Sequence, residues 1–153
     1  MGFSKKSGRY ERIFNQLEEL LRKTNDPLCR MATINAVLHH KMDNFFWTGF
    51  YLLHDGELRV GPYQGPVACQ VLEKNKGVCW AAINTSKTIV VPDVEEFPGH
   101  IACDSRSKSE IAVPLKNPEG IIKGVLDIDS KERGNFNEED ALFLEKIVAL
   151  IYT

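Results

Sequence analysis

Cys103 stands in Pro98-Gly99-His100-Ile101-Ala102-Cys103-Asp104-Ser105, seven residues before an acid, Glu110. Two further cysteines lie upstream: Cys69 in Gly65-Pro66-Val67-Ala68-Cys69 and Cys79 in Gly77-Val78-Cys79-Trp80. A cysteine attacks as its thiolate, whose availability depends on exposure and on nearby charge. His100 and Arg106 lie close enough in sequence to favour the thiolate of Cys103, and Asp104 opposes them. Free cysteines are more often buried and inert. A loop of His, Asp, Ser and Arg is a poor place for that, so Cys103 is expected to react. A sulfenic acid on one cysteine condenses with a second thiol to a disulfide. Cys69 and Cys79 are both candidates for that second thiol, and spacing does not choose between them. Their gaps of ten and twenty-four residues are unlike the close pairs of a zinc site, so no metal is expected. Cys29 falls near the inward stripe of a helix and is expected to pack.

Leu126-Asp127-Ile128-Asp129-Ser130 places two carboxylates on one face of a strand, because side chains alternate. Leu126 and Ile128 then face the core. A solvated strand face is the plain alternative for either aspartate alone. Glu110, Asp127 and Asp129 converging under a cysteine loop would instead raise one another's pKa values and keep a proton available near neutrality. Such an acid hydrogen-bonds an S=O or C=O oxygen, and the remaining anions suit an ammonium group. Trp47 and Tyr51 share a strand face, with Phe50 on the other. Aromatics there are usually core, but sulfur packs well against such rings, and a wall for a small thioether is the sharper reading.

These residues need elements to hold them. Apolar positions from Tyr10 to Leu21 recur at helical spacing and predict a helix over 9–24. Asp26-Pro27 caps a second helix to Asp43, with Leu28, Met31, Ile34, Val37 and Leu38 inward. Strands are expected over 46–53, 58–60, 66–72, 88–91, 110–115 and 121–128. A short helix starts at Gly77, and Asn137 caps a last one to Ile151. Residues 92–109 form a long polar loop that holds Cys103; such loops are usually functional. The order predicts an α+β fold: an antiparallel sheet with terminal helices on one face and a loop-covered pocket on the other.

The chain has 153 residues, 43% of them hydrophobic, which suits one domain with a real core and excludes a disordered chain. A flexible tail is expected over 1–8 and a single domain over 9–153. The formal net charge of −2 gives no reason to expect nucleic acid or an anionic membrane as partner. No apolar run approaches the roughly 18–20 residues of a membrane span. The start lacks the apolar stretch of a signal peptide, so a cytoplasmic location is expected. Four cysteines there are more often catalytic or redox-sensing than structural.

Taken together the motifs resemble the free methionine-(R)-sulfoxide reductases, a family built on the GAF domain. The matching stretches are Trp47-Thr48-Gly49-Phe50-Tyr51, residues 60–69, Gly77-Val78-Cys79, Val91-Pro92-Asp93-Val94, residues 97–105, Ser109-Glu110-Ile111 and residues 124–130. They cover roughly residues 10–150. The resemblance implies that Cys103 is the catalytic cysteine and that Cys69 or Cys79 resolves it. Glu110, Asp127 and Asp129 match substrate-binding acids, and Trp47 and Tyr51 match aromatics of the pocket. It further implies reduction of free methionine sulfoxide without a cofactor, recycling by thioredoxin or a similar dithiol, and a homodimer. Trp80 departs from the glycine many members carry and bears on the mobility of Cys79. A non-catalytic GAF sensor is the competing expectation. Such modules usually sit beside an output domain, and a dimerisation module would not need three placed thiols.

Overall fold

The computed structural model describes residues 4–100 and 103–153. Helices α1 (Lys5–Leu20), α2 (Pro27–Lys41), α3 (Gly77–Thr85) and α4 (Glu138–Val148) accompany six strands. The strands are β1 (Trp47–His54), β2 (Glu57–Gln64), β3 (Val71–Leu72), β4 (Ile89–Val91), β5 (Ser109–Lys116) and β6 (Ile122–Ser130). They form one sheet in the order β3-β2-β1-β6-β5-β4, and every neighbouring pair is antiparallel. This is the expected α+β architecture.

The sheet's two faces differ as the sequence alternates. Phe50, Ile111, Val113, Leu115, Leu126 and Ile128 bury against α1, α2 and α4. Each large apolar side chain taken from water there contributes about 1.5–3 kcal/mol. Their neighbours Glu110, Ala112, Val125 and Asp127 must point the other way. A one-residue slip would drive the carboxylates into the helical core, so the register is strongly fixed. On the second face α3 packs Val78, Cys79, Trp80 and Ala82 against Trp47, Tyr51 and Val125. The β1–β2 connection is a two-residue turn, with Asp55 at φ 52° and Gly56 at φ 79°, the double left-handed conformation that suits the twist of a hairpin.

Several expected boundaries move. The tail over 1–8 is corrected, because Lys5–Gly8 already belong to α1. Ser4 caps the helix by accepting from the Ser7 N–H at 3.0 Å. Lys6 Nζ lies 2.8 Å from the buried Asp140 of α4, and Tyr10 donates to the same carboxylate at 2.5 Å. Met1, Gly2 and Phe3 of that expected tail lie outside the described residues. In α2, Leu28 and Cys29 are exposed rather than inward. At 100° per residue Leu28 sits at the edge of the stripe centred on Met31, Ile34 and Leu38. Arg30 is buried in its place, holding the Thr24 and Leu150 carbonyls at 2.8 and 2.7 Å.

The expected strand over 66–72 shrinks to Val71–Leu72. Two carbonyls of the preceding segment turn toward side chains of β1: Trp47 Nε1 donates to Pro66 at 3.1 Å and Tyr51 Oη to Cys69 at 3.3 Å. Conversely β2 runs past its expected end at Val60 to Gln64, through Pro62. Proline is tolerated there because β3 pairs only with Leu58 and Arg59, which leaves that side of β2 an edge. The loop between β4 and β5 carries a 3₁₀ turn, Val94–Glu96. Its ends are tied by Val94 N–H to the Lys108 carbonyl at 2.9 Å and Lys108 N–H to the Ser130 carbonyl at 2.7 Å. Ile101 and Ala102 of that loop lie outside the described residues.

Candidate active site

The second face holds a cavity lined by Phe46, Trp47, Tyr51, Cys79, His100, Cys103, Asp104, Glu110, Asp127 and Asp129, among others. Seven of the eight side chains singled out in the sequence therefore meet at one place. The eighth, Cys69, reaches it through a disulfide to Cys103, with 5.7 Å between their Cα atoms. The Cys69–Cys103 bond joins the two loops that cover the cavity. Cys79 stays a free, buried thiol on the first turn of α3. Of the two pairings left open by spacing, the disulfide present here is Cys69–Cys103.

The floor is built from two strands. Glu110 of β5 stands opposite Asp129 of β6, and Asp129 also stands opposite Trp47 of β1. Asp127 pairs with Gly49 on one side and Ala112 on the other. Both neighbours of Asp127 are small, and the space at Gly49 is taken by the Trp47 side chain. Gly49 is required there: a Cβ would lie 2.6 Å from Trp47 Cη2. The Trp47 ring fills that space and stacks between Tyr51 and Tyr63, at centroid distances of 5.6 and 5.1 Å. Aromatic pairs of this kind contribute about 0.5–1.5 kcal/mol each beyond their burial.

Burial and crowding set the protonation of the floor. Burial pushes Glu110 well above the usual carboxylate range, and the Asp127 and Asp129 charges push it further. Asp129 is raised by burial, then by Asp127 and Asp104. Asp127 is raised by burial, but hydrogen bonding from Glu110 and from the Cys79 thiol opposes the rise. Asp127 is thus the member favoured as the anion, and Glu110 the member favoured as the neutral acid. Asp127 Oδ1 has no hydrogen-bond partner although the residue is only 5% exposed. The Cys79 thiol is pushed up by burial and by the same acids. That outweighs the helix N-terminus beside it, which ordinarily favours thiolate.

The Cys103 loop differs electrostatically from the sequence expectation. Arg106 is committed to Asp104, with Nη2 at 2.7 Å and Nε at 3.0 Å from its two oxygens. These bonds bring the half-buried Asp104 carboxyl down to about 2, so the pair is close to neutral beside Cys103. Arg106 also lies 4.9 Å over the Phe46 ring, with Lys131 at 5.3 Å from the same ring. Phe46 thereby anchors the loop to the start of β1. His100 Nδ1 is 3.9 Å from Glu110 Oε1, and burial lowers the imidazole pKa. That contact is not an ion pair at neutral pH. Sequence reasoning missed Phe46 and Tyr63. Tyr63 faces Gly49 across β1–β2, on a stretch of β2 beyond the strand end expected at Val60.

Fold and site define a GAF domain: residues 32–152 match the GAF domain family. The chain is similar to GAF domain-containing protein A of Dictyostelium discoideum, 46% identical over 147 residues that cover 95% of this chain and 92% of that one. It is 41% identical to the free methionine-R-sulfoxide reductase of Saccharomyces cerevisiae over 131 residues, covering 81% of this chain and 73% of the relative. The crystal structure of the free methionine-R-sulfoxide reductase from Neisseria meningitidis in complex with its substrate superposes with a TM-score of 0.92. It is 38% identical, covering 99% of this chain and 91% of that one. Within the GAF domains, this chain belongs to the free methionine-R-sulfoxide reductase family.

Proposed function

We propose that this protein reduces free L-methionine (R)-S-oxide to L-methionine. The observation that carries the reading is the Cys69–Cys103 pair closing over three convergent acids and a stacked aromatic wall. Membership of the reductase family supports the substrate class, and the preference for the R epimer rests on that membership alone.

The acids suit a zwitterionic substrate. Asp127, with an unpartnered buried oxygen, receives the ammonium group. The S-methyl group packs on Trp47 and Tyr51, where sulfur and ring are mutually favourable. Neutral Glu110 donates its proton to the sulfoxide oxygen, which makes the sulfur electrophilic. The Cys103 thiolate attacks that sulfur. The oxygen passes to Cys103 as a sulfenic acid and methionine leaves with the sulfur's electron pair restored. The Cys69 thiol then attacks the sulfenic sulfur, water departs, and the disulfide seen here is formed. A dithiol such as thioredoxin reduces it by exchange through a mixed disulfide. Free amino acid is preferred because Asp127 pairs with an ammonium group that a peptide-bound residue lacks.

A reducing compartment such as the cytoplasm suits this cycle. No helix among the described residues is long and apolar enough to cross a membrane. A homodimer through the terminal helices belongs to the same proposal, supported by the exposed apolar Leu20 of α1 and Leu28 of α2. Light scattering would report the mass.

The test is turnover of the separated R and S epimers of free methionine sulfoxide with dithiothreitol. Methionine formed from the R epimer is the expected result. None from either epimer, with folded and reduced protein, would leave a ligand-binding GAF sensor as the function.

A further inference from the structure

The acidic floor has one property that the reductase cycle does not need. One donor atom each from Cys79, Glu110 and Asp127 lies within 4.8 Å of the other two. The three residues come from α3, β5 and β6, so no sequence spacing reveals them as a set. All three are buried: Cys79 is 4% exposed, Glu110 7% and Asp127 5%. A tetrahedral zinc ion at about 2.3 Å from sulfur and about 2.0–2.2 Å from oxygen needs its donors about 3.4–3.7 Å apart. Rotamer adjustments of about an ångström would close this cluster on a cation.

Two orphaned polar atoms point to a ligand. Asp127 Oδ1 is buried without a partner. His100 Nδ1 is also buried without a partner, 3.9 Å from Glu110 Oε1, and is placed to become a fourth donor. One thiolate, one imidazole and two carboxylates form a donor set suited to a borderline-soft divalent ion rather than to calcium or magnesium.

We propose that Cys79, Glu110 and Asp127, completed by His100, form an inhibitory site for a thiophilic divalent cation, zinc first among them. The cation binds as the Cys79 thiol releases its proton to solvent together with the proton held among the carboxylates. It neutralises a floor whose charges otherwise repel. Asp127 is shared with the ammonium group of an amino-acid substrate, so cation and substrate exclude one another. The site stands whether or not the protein turns over methionine sulfoxide.

Cobalt(II) is the probe, because its thiolate complexes absorb by charge transfer. The protein carries Cys29→Ser and is kept oxidised, so that Cys79 is its only free thiol. The expected result is one cobalt per chain, with a sulfur-to-cobalt band that zinc displaces and that vanishes on Cys79→Ser. Outer-shell losses alone cost metal sites about 10–100-fold, so the near-isosteric Asp127→Asn is expected to weaken cobalt about 100-fold. No charge-transfer band in folded protein, a band that survives Cys79→Ser, or an affinity indifferent to Asp127→Asn would each overturn the site. Failure of the turnover assay would leave these spectroscopic results untouched, so the two readings fail separately.

Discussion

Glu110 and Asp129 stand directly opposite each other across the β5–β6 ladder, and both side chains enter the same cavity. Like charges in that position cost stability. The fold keeps them because Ile111 and Ile128, the adjacent pair in the same ladder, are fully buried on the helical side. Strand alternation leaves the acids one direction to point. The result is a floor that retains a proton where a solvated carboxylate would have lost it.

The thiols divide by environment, and single-turnover chemistry reads the division. Cys103→Ser is expected to abolish methionine formation. Cys69→Ser is expected to yield about one methionine per chain without external thiol, to form no intramolecular disulfide, and to lose thioredoxin-supported turnover. Cys79→Ser still forms the Cys69–Cys103 disulfide, since Cys79 is buried, protonated and not part of that bond. Its kcat/KM is expected to stay within a few-fold of wild type, because the serine hydroxyl keeps a donor toward Asp127, whereas Cys79→Ala loses that donor and is expected to fall about tenfold, the size of one bond to a charged group. Disulfide mapping after one equivalent of substrate decides this. A Cys79–Cys103 bond in the wild-type chain would overturn the assignment of Cys69.

Disulfide closure also acts on stability. The bond spans a sequence separation of 34, and the chain-entropy account gives about 3–4 kcal/mol for a loop of that size. The oxidised protein is therefore expected to melt about 10 °C above the reduced one, at about 2–4 °C per kcal/mol for a domain of this length. Paired calorimetric scans with and without a phosphine reductant test it. Equal melting temperatures would mean that strain in the closed native loops, or residual structure in the reduced unfolded chain, offsets the lost chain entropy.

The sequence was most legible where period and chemistry coincided. Leu126-Asp127-Ile128-Asp129 alternates in one register only, so the acidic face could be read from the chain. The helical stripe of α1 was equally clear from Tyr10 onward, but its first turns were not. Gly8 and Ser7 are weak helix formers, and Lys6 and Ser7 are held by partners on α4 more than 130 residues away in sequence. Tyr63 was hidden because Gly61-Pro62 resembles a strand end, whereas the short β3 leaves β2 free to continue through it. The choice between Cys69 and Cys79 depended on two side-chain hydrogen bonds that draw residues 66–69 out of the sheet and over the cavity. No local pattern encodes a bond of that kind.

Substrate recognition divides between charge and aromatic contact. Asp127→Asn removes the anion that meets the ammonium group and is expected to raise KM about 10–100-fold, as bonds to charged groups are worth about 1.5–3 kcal/mol. Trp47→Phe keeps an aromatic but loses the Nε1 bond to Pro66 and part of the stack with Tyr63. A rise in KM of about fivefold is expected from the lost sulfur–aromatic and stacking contacts. Initial rates across methionine sulfoxide concentrations separate the two. If Asp127→Asn changed kcat with KM intact, Asp127 would belong to the proton transfer instead.

Glu110→Gln should separate activity from stability in opposite directions. Loss of the proton donor is expected to lower kcat about 10²–10⁴-fold, the usual range for a general acid. Stability should rise, because the native Glu110 carboxyl is held above its ordinary range by burial and by Asp127 and Asp129. Above the ordinary carboxylate pKa of about 4.3 the unfolded chain has released that proton while the native chain retains it. The native state then binds more protons than the unfolded state, so stability falls as pH rises through this window. Glutamine carries no such penalty. The variant is expected to melt about 3 °C or more above wild type at pH 8, a gap that closes as pH approaches 4 and both forms are neutral. Thermal melts across that range check the sign. A stabilisation that grew toward low pH would show that Glu110 is ionised in the native floor, and the role of proton donor would pass to Asp129.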